Sequence, residues 1–339
     1  MAGFTHKADQ HHLSEKPSYK KCRFSPSCRL LLVLSCFSAV CYVLFAHEYL
    51  IAVRQHVLPA HCQACKNNIK QNVRLNSTVR LLSSVLPHDS HCQISFNATE
   101  AGLQAFKPVM SGVERCVLLD TVRAVCQALT RANVSYFIYS GTLVGSWRHH
   151  GLVPWDDDVD IAFGASYKDD VERALKSLQP DFNLVRRSGS SWKVFNPAGT
   201  QKVPHFSWSW PFVDLSPMEQ NNTHMWDSVV EYFPEYVYPM EWLFPTVLRP
   251  FHGLMLPAPR ETKKVLDATF NLKQCMIHHY NHRLERGRAK SEMKSVECSS
   301  LRTVYPFVQH VPLAAGGCNE SLVLGGTVLH WIALRDSRC

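Results

Sequence analysis

The sequence predicts a mixed α/β (α+β) fold behind a single N-terminal transmembrane helix. Three observations carry this. Of the 339 residues, 46% are hydrophobic and 19% charged, which supplies an ordinary core and excludes a disordered chain, a collagen and a coiled coil. From Val113 onward, apolar residues at helical spacing alternate with short apolar runs bounded by Gly, Pro and Asn, so strands and helices intermix. Ahead of that body, residues 30–46 form an uncharged run, extendable through 50–53 past His47 and Glu48.

The apolar run reads as a signal anchor at 30–53. Its first 17 residues span about 25 Å as a helix, short for a membrane and suited to the thinner early-secretory bilayers. Net charge is +8, and the tail 1–29 supplies half of it through Lys7, Lys16, Lys20, Lys21, Arg23 and Arg29 against Asp9 and Glu15. The positive-inside rule then puts the tail in the cytosol and the body in the lumen of the Golgi or ER, a single-pass type II arrangement. The rest of the chain is nearly balanced, which removes most support for a nucleic-acid partner. A cleaved signal peptide fits less well, because the basic region is long and no small-x-small site follows. Sequons begin at Asn76, Asn97, Asn133, Asn221 and Asn319, and nine Cys follow the anchor, as an oxidising lumen allows. The odd count leaves one Cys without an intramolecular partner. Cys62 and Cys65 beside His61 read as stem disulfides more readily than as half a zinc site.

Residues 54–110 show no sustained period and read as a lumenal stem. The body follows as a domain at 111–310, with 311–339 unassigned. Within it, Val113, Val117, Val122, Val125 and Leu129 predict a helix stopped near Asn133. Residues 136–139 predict a buried strand, Gly141-Thr142 a turn, and 143–150 a short helix closed by Gly151. A strand at 159–163 and a helix at 167–178, ended by Pro180, come next. Further strands are expected at 182–185, 192–195, 212–215 and 254–256, and a helix at 261–280. No internal repeat is visible.

The densest chemical signal is Asp156-Asp157-Asp158-Val159-Asp160. Four carboxylates in five residues repel one another, a cost a chain accepts when a cation sits among them. Hard divalent ions take carboxylate oxygens. On a strand, residues two apart share a face, so Asp158 and Asp160 point together while Val159 and Ile161 point into the core. An acidic turn in solvent is the commoner origin of such a run, but its flanks here are aromatic and apolar. Upstream, Gly141-Thr142 lets backbone N–H groups approach a phosphate. Downstream, Val213-Asp214-Leu215 places a lone carboxylate on an apolar strand, costly unless paired or metal-bound. The ordered set reads as a two-metal phosphate site.

These motifs resemble a known family. Residues 136–145 (YFIYSGTLVG), Arg148-His149-His150, Val153-Pro154-Trp155-Asp156-Asp157-Asp158, Trp210-Pro211-Phe212-Val213-Asp214, Phe244-Pro245 and Pro257-Ala258-Pro259 resemble the LicD family, which includes bacterial phosphocholine transferases and the animal fukutin and fukutin-related proteins. The resemblance covers about residues 113–280. It implies a nucleotidyltransferase-like mixed sheet flanked by helices, a CDP-activated donor, and transfer of a phospho-alcohol such as phosphocholine or a polyol phosphate to a hydroxyl of a glycan or glycoprotein acceptor. It implies that Asp158 and Asp160 hold Mg²⁺ or Mn²⁺, with Asp214 as third carboxylate and Asp156 as a further ligand candidate. Gly141 and Thr142 match the glycine turn that binds the donor. Arg148 neutralises phosphate or pairs with the aspartate run. Asp214 or Asp157 is the candidate base; His149, His150 and His205 are candidates of no clear order. Trp155 packs the turn. Two rival classes stay open at this stage, a nucleotide-sugar glycosyltransferase and a non-catalytic lumenal binding protein. Oligomeric state is open as well.

Overall fold

The computed structural model describes residues 103–339 apart from 188–190 and 230–234. The expected tail, anchor and most of the stem lie outside the described residues. Among the described residues no helix is long and apolar enough to cross a membrane.

The described chain begins in the core. A one-turn 3₁₀ helix, Leu103–Phe106, buries Leu103 and Phe106, so the end of the expected stem belongs to the body. Helix α1 (Gly112–Arg131) starts on a capping box. Ser111 Oγ accepts from the Glu114 amide, and Glu114 Oε2 accepts from the Ser111 amide at 2.8 Å. Its apolar stripe, Val117, Leu118, Val122, Val125 and Leu129, is fully buried. Asn133 turns the chain at φ +54°, a value asparagine tolerates.

Strand β1 (Tyr136–Ile138) leads into helix α2 (Ser140–His149). The helix begins three residues earlier than its sequence signal. Gly141-Thr142 is therefore not a free turn but the first turn of α2. Strand β2 (Val159–Gly164) follows the aspartate run, then helix α3 (Lys168–Lys176), which buries Val171 and Leu175. Next come β3 (Asn183–Val185), β4 (Trp192–Phe195) and a small hairpin of β5 (Gln201–Lys202) with β6 (Ser209–Trp210). Strands β7 (Val213–Gln220), β8 (His224–Asp227) and β9 (Val237–Pro239) complete a seven-stranded mixed sheet. Its order is β1-β2-β7-β4-β3, with β8 and β9 continuing from the far half of β7. Only β2 and β7 run parallel.

Helix α4 (Met240–Leu243) precedes a hairpin of β10 (Val247–Phe251) and β11 (Leu254–Ala258). Here the structure corrects the expected helix at 261–280. Helix α5 (Thr262–Thr269) stops at Phe270, which is extended. The next residues instead form β12 (Gln274–Met276), paired with β15 (Ser295–Glu297), and between them β13 (Tyr280–Asn281) with β14 (Arg286–Gly287). A Cys275–Cys298 disulfide closes this excursion. Strands β16 (Phe307–Pro312), β17 (Cys318–Leu324) and β18 (Thr327–Leu334) form a final antiparallel sheet, and Cys318 bonds Cys339. The expected boundary at residue 310 thus falls inside β16. Cys116 is also disulfide-bonded, and Cys126 is the free, buried thiol among the described residues.

Candidate active site

Register places the chemistry. On the parallel pair β2/β7, Asp160 lies directly opposite Asp214, and on β7/β4, Asp214 lies directly opposite Lys193. One row across three strands therefore reads Asp160, Asp214, Lys193. Asp158, two residues before Asp160, comes onto the same face. Oxygens of Asp158, Asp160 and Asp214 lie within 4.8 Å of one another.

Beside this cluster, a cavity of about 130 Å³ is walled on one side by Ser140, Gly141, Arg148 and the aspartates 156, 157, 158 and 160. The opposite wall carries Asn271, Gln274, His278, Tyr280, His282 and Arg288. Ser140 and Gly141, in the first turn of α2 where N–H groups have no partner within the helix, line this cavity. Gly141 is required by crowding. A Cβ there would stand 2.6 Å from Asp156 Oδ2 and 3.7 Å from Asp160 Oδ2. Thr142 does another job. Its Oγ1 accepts the Asp160 amide at 2.7 Å, so it fixes the strand that carries the aspartate and does not line the cavity.

The five carboxylates have different partners. Asp157 is committed: His282 Nδ1 meets its Oδ1 at 2.9 Å and the Arg283 amide donates to Oδ2 at 3.1 Å. Burial opposes its charge, but these bonds outweigh burial and hold it below the usual carboxylate range. Asp214 is committed to Lys193, whose Nζ stands 2.9 and 3.2 Å from its two oxygens. Neither is a free base. Among the described residues, Asp158 has His282 Nε2 as its ion-pair partner, at 3.4 Å. Asp156 and Asp160 have no ion-pair partner among the described residues. Burial, then repulsion from Asp157, pushes Asp156 up to about 6. Burial, then repulsion from Asp214 and Asp156, pushes Asp160 up to about 8. Asp158 is raised by burial against the opposing pull of His282. Asp156 faces Gly141 and stands beside the converging set of three, because it lies on the turn before β2, where strand alternation does not apply.

Buried oxygens that repel one another and converge within ion-binding distance fit a hard divalent cation. Asp158 and Asp160 are the residues that would hold it.

Arg148 is buried and does not pair with the aspartates. Its Nη2 donates to the carbonyls of Asn271 (3.2 Å) and Gln274 (2.8 Å), while its buried Nε has no partner. Burial lowers it to about 10, still charged at neutral pH. Trp155 packs against Phe106 and Tyr305 and donates Nε1 to the Met276 carbonyl. His149, His150 and His205 do not line the cavity. His149 Nδ1 meets the Pro306 carbonyl, and His150 meets Glu320. The histidines at the site are His278 and His282, which sequence reasoning missed. Their only signal was the density of His and Tyr at 278–282 between Cys275 and Cys298.

Comparison with known proteins agrees with this geometry. Residues 133–261 match the model of the LicD/FKTN/FKRP nucleotidyltransferase domain. Ribitol 5-phosphate transferase FKRP is 30% identical to this chain in Mus musculus and 29% in Homo sapiens, each over 156 residues. Both alignments cover 45% of this chain and 31% of the relative. Lipopolysaccharide cholinephosphotransferase LicD of Haemophilus influenzae is 39% identical over 56 residues, 16% of this chain and 19% of that protein. This chain thus spans about a third or less of the length of these relatives. The aspartates, Gly141, Arg148 and Lys193 all fall in the matched segment, whereas His278, His282 and Arg288 lie beyond it. Residues 133–261 thus carry a similarity to the LicD/FKTN/FKRP nucleotidyltransferase domain.

Proposed function

We propose that this protein transfers a phospho-alcohol, phosphocholine or a polyol phosphate such as ribitol phosphate, from a CDP-activated donor to a glycan hydroxyl. The observation that carries this reading is the convergence of Asp158 and Asp160, beside Asp214, at the N-terminus of α2 and next to an arginine with no carboxylate partner. A divalent ion, Mg²⁺ or Mn²⁺, supplies charge neutralisation at a pyrophosphate when bound.

The chain's own residues do the rest. Asp158 and Asp160 hold the ion. Open N–H groups at Ser140 and Gly141 favour a phosphate oxygen. Arg148 offers a buried positive charge on the same wall. Trp155, Val144 and Val153 keep that wall dry. The acceptor oxygen forms the new P–O bond as the P–O bond to CMP breaks, CMP takes that electron pair and the hydroxyl proton passes to solvent, so the alcohol keeps its phosphate through the transfer.

A donor panel tests the reading. CMP should be released from a CDP-alcohol only when a glycan acceptor is present. Release of UDP from UDP-sugars instead would make the protein a glycosyltransferase. Loss of no glycan substituent after Asp158→Asn with Asp160→Asn would make it a binding protein.

The same proposal places the body in the lumen of the Golgi or ER behind the anchor at 30–53. Five disulfide-bonded cysteines among the described residues, Cys116, Cys275 with Cys298, and Cys318 with Cys339, support an oxidising compartment. Asn133 and Asn221 are exposed, whereas Asn319 sits in the middle strand β17 with a buried Oδ1. Glycosidase mapping should find glycan at Asn133 and Asn221 and none at Asn319. No glycan at either exposed site would count against the lumen.

A further inference from the structure

Two carboxylates away from the cavity wall are already balanced, and the balancing group belongs to the protein. Lys193 Nζ stands 2.9 and 3.2 Å from the oxygens of Asp214 and 3.5 Å from Glu285 Oε1. It also lies 3.6 Å from the centroid of the Phe212 ring. Its side chain is 3% exposed, as is that of Glu285. An ammonium has three N–H donors, and three carboxylate oxygens face it. Glu285 is itself fixed, accepting from Trp208 Nε1 and from the Tyr280 hydroxyl, each at 3.0 Å.

We propose that Lys193 is a positioning residue that permanently occupies the second cation place of this site, so that the site takes one divalent ion, on Asp158 and Asp160, and not two. The proposal rests on the metal-dependent reading above and deepens it. It also revises the two-metal arrangement expected from the sequence, which sets Arg148 and not Lys193 against the carboxylates. A second divalent ion on Asp214 would stand within a few ångströms of an ammonium that has no water to retreat into. Both oxygens of Asp214 are already engaged. Lys193 therefore does two things at once. It sets a fixed positive charge against Asp214 beside Asp160, and through Glu285 it fastens the disulfide-closed excursion 275–298 to the central sheet.

The count of bound ions separates this from a merely structural ion pair. Mn²⁺ bound to the full chain is measured by electron paramagnetic resonance at saturating CDP. One Mn²⁺ per chain is expected in the wild type and two in Lys193→Met, where Asp214 and Glu285 are left as a vacant carboxylate pair. Lys193→Gln, which keeps a donor for Asp214 but removes the charge, should give the same count and serves if the methionine variant does not fold. Two ions in the wild type would overturn the proposal while leaving the metal reading intact. A count that stays at one in a folded variant would overturn it as well. No Mn²⁺ in any of the proteins would overturn the metal reading and this proposal with it.

Discussion

The two walls of the cavity are built by opposite means. One is made from a single short stretch of chain, 140–160, in which α2 and the start of β2 bring Gly141, Arg148 and four aspartates together over twenty residues. The other comes from 271–288, where His278, Tyr280, His282 and Arg288 are carried on two small hairpins inside a disulfide. The first wall is strongly acidic and lies within the family segment. The second is cationic and aromatic and lies beyond it. Under the proposed function, the pairing assigns reaction chemistry to the acidic wall and contacts with the rest of the substrate to the hairpin wall.

The largest effect that would break this comparison is on the acidic wall. Asp160→Asn should lower turnover by about 10³-fold, equivalent to roughly 4 kcal/mol of lost transition-state stabilisation. It should also raise the melting temperature of the metal-free protein. Burial first, and neighbouring Asp214 and Asp156 next, hold the Asp160 pKa near 8, above its unfolded value. At neutral pH its ionised form therefore opposes folding. A melting temperature that falls would show that Asp160 is tied to a partner the structure does not give it.

The hairpin wall should respond differently. Replacing Cys275 and Cys298 together by serine removes a crosslink across 23 residues of separation, which should cost about 3 kcal/mol of stability. Turnover at saturating donor should change less than the KM, because the aspartates keep their places. An equal loss in both would show that the two walls act as one.

Gly141→Ala tests the seam between α2 and the aspartates. Its methyl would meet Asp156 Oδ2 at 2.6 Å, and something must move. Activity should fall about 10- to 100-fold, worth about 1.4–2.7 kcal/mol, with Mn²⁺ affinity falling alongside. Unchanged metal affinity would remove Asp156 from the account.

The smallest effect concerns the joint behind the walls. Burial holds His149 near 3 and His310 near 4, both below the ordinary histidine value of 6.5. Each is therefore neutral in the folded protein and charges on unfolding below that value. Their contribution is intact above pH 6.5 and is lost as pH falls toward 4. Melting temperature should decline over that window, and His149→Gln should flatten the decline. The same slope in the variant would exclude His149 as its source.

Much of the acidic wall was legible because its geometry is local. Two-residue alternation puts Asp158 and Asp160 on one face, and an apolar context marks Asp214 as a buried carboxylate. The helices α1 and α3 and the strands β2, β4 and β7 follow from periodicity and from Asn133 and Pro180. What was not legible depends on register between distant segments. Nothing in the spacing of Lys193 and Asp214 says that β4 lies antiparallel to β7 with the two in line. The expected helix at 261–280 failed for a related reason. Val265 and Leu266 set a true helical start, but the backbone becomes extended at Phe270, and the crosslink at Cys275 fixes hairpins that no periodicity announces. The sequence signals Thr142 through its backbone, and nothing in its spacing tells that its hydroxyl accepts the Asp160 amide.

One feature behind the site bears on what counts as a unit of this protein. Arg249, on β10 within the family segment, is fully buried and meets both oxygens of Glu320 at 2.8 and 3.0 Å. Glu320 lies on β17, and it also meets His150 at the end of α2. A fragment cut to the family boundary at 261 would keep the guanidinium and lose its carboxylate. The cut would also remove His310, which stacks on Trp147, so the fragment would lose both the ion pair and the packing at the end of α2. The stretch that matches the family model is thus shorter than the packed unit, and the last strands of the chain are the counterweight on which the end of α2 rests.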